Sequence, residues 1–269
     1  CSCTSTGRDV FYTFTLTQEE IVYADTLDGE TWDSALFLQN AMGVNLPSTA
    51  GDFNACSDDA CGSLRSQLVA RLAPGQYYLV LSGCSQGRAT IRFQHLPVGS
   101  GTVTRVNPTV TGSQTVTGTV APGTGLVNGG CSSAGPENMF FFATCTSFAA
   151  TRLHLTTCGA TNYDSVLHQQ SPARTPVAVC NDDFCGLQSS LESTLPAGPG
   201  LHAWYVDTFG TRAPGNYTLR YRFGDCTADF ASCGPAPGVC RYTAADDSNC
   251  GACGTECTGG TSCTSGTCT

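Results

Sequence analysis

Apolar and polar residues alternate with period two along much of this chain. Val10, Tyr12, Phe14 and Leu16 fall on one face of an extended segment, with Thr13 and Thr15 on the other. Aromatic and β-branched residues in that rhythm predict a half-buried strand. Val22–Leu27 is a weaker candidate and Ala35–Leu38 a short one. The turn Ala73-Pro74-Gly75 leads into Tyr77–Leu81, the most apolar strand of the first hundred residues, and Ala89, Ile91 and Phe93 predict a closing strand. Farther along, Trp204–Val206 and the series Tyr217, Leu219, Tyr221, Phe223 follow the same pattern. No segment places apolar residues at helical spacing with caps over ten residues. The pattern predicts an all-β protein.

The pattern also occurs twice. NACSDDACGSLRSQL, Asn54 to Leu68, returns as AVCNDDFCGLQSSL, Ala178 to Leu191. Cys131 to Phe142 aligns with Cys3 to Phe14 without a gap, placing Gly135 on Gly7 and Glu137 on Asp9. Tyr163–Leu167 aligns with Trp32–Leu36, Cys180 and Cys185 with Cys56 and Cys61, and Leu187, Leu191 and Leu195 with Leu64, Leu68 and Leu72. Self-similarity at this separation means two copies of one domain. The sequence predicts two copies of a β domain at 1–97 and 98–224 and a cysteine-rich module at 225–269, where large apolar residues are too few for an unstapled core.

Between the copies, residues 96–130 are rich in Thr, Val, Gly and Pro. Thr109–Val120 has strand composition and predicts an opening strand or hairpin for the second domain. Nothing ahead of Cys1 matches it. Either the first domain lacks an edge, the chain is a fragment, or another molecule supplies the strand.

Eighteen cysteines in 269 residues indicate an oxidised, extracellular protein, because cytosolic thiols stay reduced. All twelve basic residues are arginine, which excludes lysine-based nucleophilic chemistry. A formal net charge of −9 argues against nucleic acid or an anionic membrane as partner. No apolar run reaches transmembrane length, and no export signal is visible. Cys1 is read as half of a disulfide or as a lipid-carrying cysteine.

Tyr163-Asp164-Ser165-Val166-Leu167, Asn181-Asp182-Asp183, Leu187–Leu191 and Gly215–Leu219 together resemble the bacterial pre-peptidase C-terminal domain. The first copy departs from it at Trp32, at Ser57 and in its last strand. The resemblance covers most of residues 1–224. It implies a jelly-roll-like β-sandwich of about a hundred residues appended to secreted hydrolases and surface proteins, similar in architecture to calcium-dependent collagen-binding modules. The stretch Asp247–Gly254, with Cys257, Cys263 and Cys268, is similar to cysteine-rich modules of secreted, especially myxobacterial, proteins.

Because they recur together around a short turn, Cys56–Cys61 and Cys180–Cys185 are predicted to pair within themselves. Cys145 and Cys158 have no counterpart in the first copy and are predicted to pair with each other. Cys1 with Cys84, and Cys3 and Cys131 joining domains or chains, are the remaining proposals. The tail's eight cysteines allow 105 connectivities, and Cys250-x-x-Cys253 has zinc spacing, but the tail lacks histidine and disulfides are expected.

Asp33, Asp58, Asp59, Asp164, Asp182 and Asp183 form the repeated acidic constellation. Carboxylates with backbone carbonyls are calcium ligands; the competing reading is that they cap turns by accepting backbone N–H bonds. Asp25, Asp28 and Glu30 would enlarge the first site only. Trp32 and Trp204 are candidates for a sugar platform or for packing. His95, His154, His168 and His202 carry no catalytic motif. No enzyme is expected. The expected role is a secreted or cell-surface binding, adhesion or accessory module, with an extracellular polymer, glycan or protein as partner. The alternatives are a fibre or coat subunit that assembles with copies of itself by strand addition, and a processed fragment of a secreted protease.

Overall fold

A computed structural model describes residues 9–29, 32–48, 53–83, 87–170, 179–210, 215–227, 230–235 and 238–269. The described residues form strands and turns and no helix. By contact, the chain divides into two compact units. The first is Cys1–Val98 with Phe142–Ala149 and Ala197–His202; the second is Gly99–Phe141 with Ala150–Pro196 and Ala203–Thr269.

Unit 1 holds β1 (Val10–Leu16), β2 (Glu20–Asp25), β3 (Ser34–Asn40), β4 (Cys56–Ser57), β5 (Gln67–Leu72), β6 (Gly75–Gly83) and β7 (Arg92–Pro97). They make two sheets, ordered β1-β6-β3-β4 and β5-β2-β7. Their facing sides share one core, in which Leu36, Leu38, Leu79 and Leu81 of the first sheet meet Val22, Ala24, Leu68 and Leu72 of the second. Burying each leucine contributes about 1.5–3 kcal/mol. This is a β-sandwich, built from the strands the alternation predicts and of the architecture the family resemblance implies.

Two details of unit 1 differ from the sequence pattern. Val10 and Tyr12 share a face with the buried Leu16, yet they are 46% and 47% exposed. The closing strand begins at Arg92, so Ala89 and Ile91 are described but unpaired in any strand. Both departures lie at edges, where no neighbouring strand covers the chain among the described residues.

The second repeat has β8 (Val103–Arg105), β9 (Gln114–Thr119), β10 (Asn138–Thr144), β11 (Thr151–Thr156), β12 (Ser165–Gln170), β13 (Val179–Asn181), β14 (Ser190–Leu195), β15 (Gly200–Thr208) and β16 (Asn216–Phe223). The sheet orders are β13-β12-β15-β10-β8 and β14-β11-β16-β9. Register confirms the duplication residue by residue. Leu36 opposite Leu81 and Phe37 opposite Cys56 return as Leu167 opposite Val206 and His168 opposite Cys180. Asp25 opposite Arg92 returns as Thr156 opposite Arg220. Without β8 and β9, the second set of sheets is the first. The predicted opening segment is thus β9, joined by β8, which runs parallel to β10.

The tail adds two hairpins, β17 (Ala231–Cys233) with β18 (Val239–Arg241) and β19 (Cys263–Thr264) with β20 (Thr267–Cys268). Its eight cysteines pair among themselves as Cys226–Cys240, Cys233–Cys253, Cys250–Cys263 and Cys257–Cys268. It packs within unit 2. Tyr242 and Ala245 join Cys158, Phe184 and Cys185 in a small cluster, and Arg152 donates to the Gly238 carbonyl at 2.8 Å.

Candidate functional site

The surface common to both repeats is the acidic turn after β4 and after β13. In the first copy the Ser34 N–H donates to the Leu64 carbonyl at 3.1 Å; in the second, the Ser165 N–H donates to the Leu187 carbonyl at 2.9 Å. These bonds fasten each turn to the start of β3 or β12. Ala60 and Ser63 close the first turn with reciprocal backbone bonds, and Phe184 and Cys185 both donate to Gln188 in the second. Gly62 and Gly186 take positive φ at the tip (71° and 72°), where a side chain would be strained. Each turn projects an aspartate and a leucine: Asp59 and Asp183 are exposed, Leu64 is 55% exposed and Leu187 51%. An open depression of about 400 Å³ runs along Asp59–Leu64 in the first copy.

Under each turn lies a buried set of hydroxyls that sequence reading missed. Thr26 Oγ1 and Ser34 Oγ are 2.7 Å apart, the Ser66 N–H donates to Thr26 Oγ1 at 3.0 Å, and Ser66 Oγ donates to the Ser34 carbonyl at 2.6 Å. Thr157, Ser165 and Ser189 repeat this, with 2.7 Å between the first two hydroxyls and 3.0 Å from the Ser189 N–H to Thr157 Oγ1. Only their equal eight-residue Thr-to-Ser spacing, with a serine ahead of β5 and β14, was there to find.

The disulfides correct the predicted pairings. Cys61 pairs with Cys145, Cys180 with Cys131, and Cys185 with Cys158. Cys56 is disulfide-bonded, but not to Cys61. The reason is architectural. Cys180 lies in β13, whose sheet also holds β10, the strand that Cys131 precedes. Cys185 lies beyond the turn and bonds to Cys158, just after β11 of the opposite sheet. The turn spans the sandwich, so its two cysteines are stapled to different sheets and not to each other. Closing loops of 49 and 27 residues stabilises by about 4 and 3.5 kcal/mol in the chain-entropy model, against ~2 for the short loop first expected. Cys131, expected with Cys3 to join domains or chains, is taken by Cys180, and the pairing expected for Cys1 with Cys84 lies outside the described residues.

The carboxylates are only partly brought together. Asp58 Oδ1 accepts the Asp59 N–H at 3.1 Å and Asp182 Oδ1 the Asp183 N–H at 3.0 Å, the turn-capping arrangement. Asp33 is half-buried before β3, and Asp164 is buried before β12. Among the described residues, none of the six joins a group of three potential metal ligands within 4.8 Å. Asp25 and Asp28, proposed to enlarge the first site, turn instead to Arg92: Asp25 at 3.2 Å, Asp28 in direct contact. Glu30 lies outside the described residues. The two groups that do cluster, Cys250 with Cys257 and Cys268, and His154 with Glu192 and Cys240, use disulfide sulfurs, which lack the thiolate that binds zinc.

Neither tryptophan is a platform. Trp204 is fully buried and stacks on Phe140 at 5.9 Å. Trp32 packs on the unit 1 core against Gly83 and Gly87, where a Cβ would collide with its ring. The histidines are equally committed. His95 contacts the buried Glu20. His154 Nε2 faces the Gly224 carbonyl at 3.1 Å, and burial lowers its pKa. Burial pushes His202 down to about 4.

His168 is fully buried in unit 2. It stacks on Tyr205 at 4.8 Å and is capped by Gly129, whose Cβ would fall 2.0 Å from the ring. Its Nε2 lies 3.6 Å from Oδ2 of the equally buried Asp207. Burial pushes His168 down to about 4. Burial, reinforced by Glu137, pushes Asp207 up to about 8. Both groups are therefore neutral near pH 7. Glu137 is held by the Val127 and Ser100 N–H groups at 2.6 and 3.0 Å. A His–Asp pair is catalytic currency elsewhere, but here both members have no exposed surface, so no substrate reaches them. The sequence offered no sign of it, since the partners stand 39 positions apart.

No protein-family model matches this chain, and no curated protein matches it.

Proposed function

We propose that this chain is a non-catalytic extracellular module that binds a polymer, glycan or protein through its two acidic turns, an accessory role of the kind the pre-peptidase resemblance implies. The observation that carries this is the repeated build of the turn. Each copy ties it to the start of β3 or β12, the second copy also staples it to both sheets and the first to Cys145, and each presents an exposed aspartate and leucine. Rigid presentation lowers the ordering cost of binding, and two copies in one chain add avidity. The fourteen cysteines in the seven disulfides between described residues fit an oxidising compartment. Among the described residues, no helix is long and apolar enough to cross a membrane.

The test is retention of the purified chain on immobilised polysaccharides and collagen-like peptides. The wild type is expected to bind one class, and Asp59→Ala with Leu64→Ser is expected to weaken it, more so with Asp183→Ala and Leu187→Ser added. Retention indifferent to all four substitutions would contradict the role of the turns. Turnover of a hydrolase substrate would contradict the non-catalytic reading.

A further inference from the structure

The two repeats place an arginine at the same point of the same strand pair and surround it differently. In unit 1, Arg92 stands opposite Asp25 and pairs with two carboxylates, Asp25 Oδ2 at 3.2 Å and Asp28 in direct contact. In unit 2, Arg220 stands opposite Thr156. The loops after β2 and β11 have the same length up to Ser34 and Ser165, so Gly159 falls at the place of Asp28. Neither acidic partner recurs in the second copy, and among the described residues no carboxylate pairs with Arg220. Its Nη1 donates to the Cys158 carbonyl at 3.2 Å, and its guanidinium lies over the Tyr242 ring, 4.7 Å from the centroid. An arginine carries five N–H donors, so this held guanidinium has donors to spare. A pocket of about 120 Å³ opens beside it, lined also by Gly159, Tyr242 and the hairpin residues Thr264 and Ser265. A single water needs only ~10–15 Å³. Among the described residues that line the pocket, Arg220 alone is charged. Gly159 keeps it open: φ is +94° there, and a Cβ would lie 2.8 Å from that of Ala245.

We propose that this pocket binds the carboxylate of a sugar acid, free or as a uronic residue of a polysaccharide. The ligand's carboxylate takes the part that Asp25 and Asp28 play in unit 1. A guanidinium fork meets a carboxylate with two parallel N–H···O bonds, and the charges strengthen both. Because Cys158 and Tyr242 already hold the fork, little freedom is lost on binding. The remaining lining selects the rest of the ligand. Thr264 and Ser265 carry hydroxyls and Tyr242 a phenol, with no second charge, which suits a ligand whose other polar groups are hydroxyls. A doubly charged ligand finds only one counter-charge. The site uses none of the exposed aspartates and leucines of the acidic turns, so it stands even if those turns bind nothing.

Nuclear magnetic resonance titration of the full chain with galacturonate tests this. Saturable shifts are expected at the Arg220 and Ser265 amides, and none with the neutral methyl ester of the same sugar. Trigalacturonate separates the two sources: tighter binding than the monomer makes the ligand a polysaccharide, and equal binding makes it the free acid. Arg220→Gln is expected to weaken binding about tenfold or more. Thr156→Asp makes the same test with the arginine kept. Thr156 Oγ1 accepts the Cys158 N–H at 3.2 Å, as Asp25 Oδ1 accepts the Leu27 N–H at 2.8 Å, so an aspartate suits the turn. It is expected to pair with Arg220 and lower affinity to the same extent. No binding, equal binding of the ester, or undiminished binding by either variant with wild-type circular dichroism would overturn the proposal. So would preference for a hexaglutamate peptide over galacturonate, which would make the partner an acidic protein.

Discussion

Asp207→Asn should change how the stability of unit 2 depends on pH, and the sign can be worked from the buried pair. Asp207 stands at about 8 in the folded protein against an ordinary 3.8. A group raised on folding contributes stability in full below its unfolded pKa and loses it as pH rises through the folded value. His168 stands at about 4 against 6.5, so its contribution is full above 6.5 and is lost as pH falls toward 4. Between pH 4 and 6.5 the two slopes cancel. From 6.5 to 8 only Asp207 acts, and the wild type loses about 2 kcal/mol at ~1.4 kcal/mol per pH unit. With asparagine at 207, His168 is left alone. Stability then rises by about 3.4 kcal/mol between pH 4 and 6.5 and is flat from 6.5 to 8 so far as this pair is concerned. Urea denaturation of both proteins at pH 4, 6.5 and 8 reads this directly, because other titrating groups cancel in the difference. A difference between the two proteins that is constant across the range would refute the neutral, buried pair.

Replacing Cys158 and Cys185 together with serine should cost about 3.5 kcal/mol or more, since a 27-residue loop is released, and the same denaturation assay measures it. Trp204→Ala should cost ~3–5 kcal/mol and shift the fluorescence spectrum to the red, as a fully buried ring stacked on Phe140 is lost. Ser189→Ala should cost about 1–3 kcal/mol by stranding the buried Ser165 carbonyl and the half-buried Asn181 carbonyl. Calcium and chelator should give the same melting temperature, because Asp58 and Asp182 already cap their turns; a rise of several degrees with calcium would show that the carboxylates reorganise into a site.

What could be read in the sequence was whatever a local rhythm encodes. Tyr217, Leu219, Tyr221 and Phe223 alternate, and β16 is where they lie. The duplicated cysteine-and-aspartate motif marks a true structural repeat, visible in matching registers. What could not be read depends on residues far apart in the chain. The spacing of Cys180 and Cys185 invites a short bridge, but the turn between them spans two sheets, and the partners come from 49 and 27 positions away. Alternation placed Val10 and Tyr12 on an inward face without revealing that, among the described residues, no strand covers them. His168 reads as one more polar residue on a strand, and only β15 packing beside β12 brings Asp207 to it. The aspartates were the most suggestive chemistry in the sequence, yet two of them are spent on their own turns, a use that spacing does not distinguish from metal binding.

Everything inferred about the turns depends on their being tied to the rest of the fold and not closed on themselves. Digestion of the native, non-reduced chain followed by mass spectrometry of the linked peptides tests this most directly. Peptides joining Cys61 to Cys145, Cys131 to Cys180 and Cys158 to Cys185 are expected. Peptides joining Cys56 to Cys61, or Cys180 to Cys185, would mean that each turn is closed only on itself, and the rigid surface on which the binding role rests would be lost.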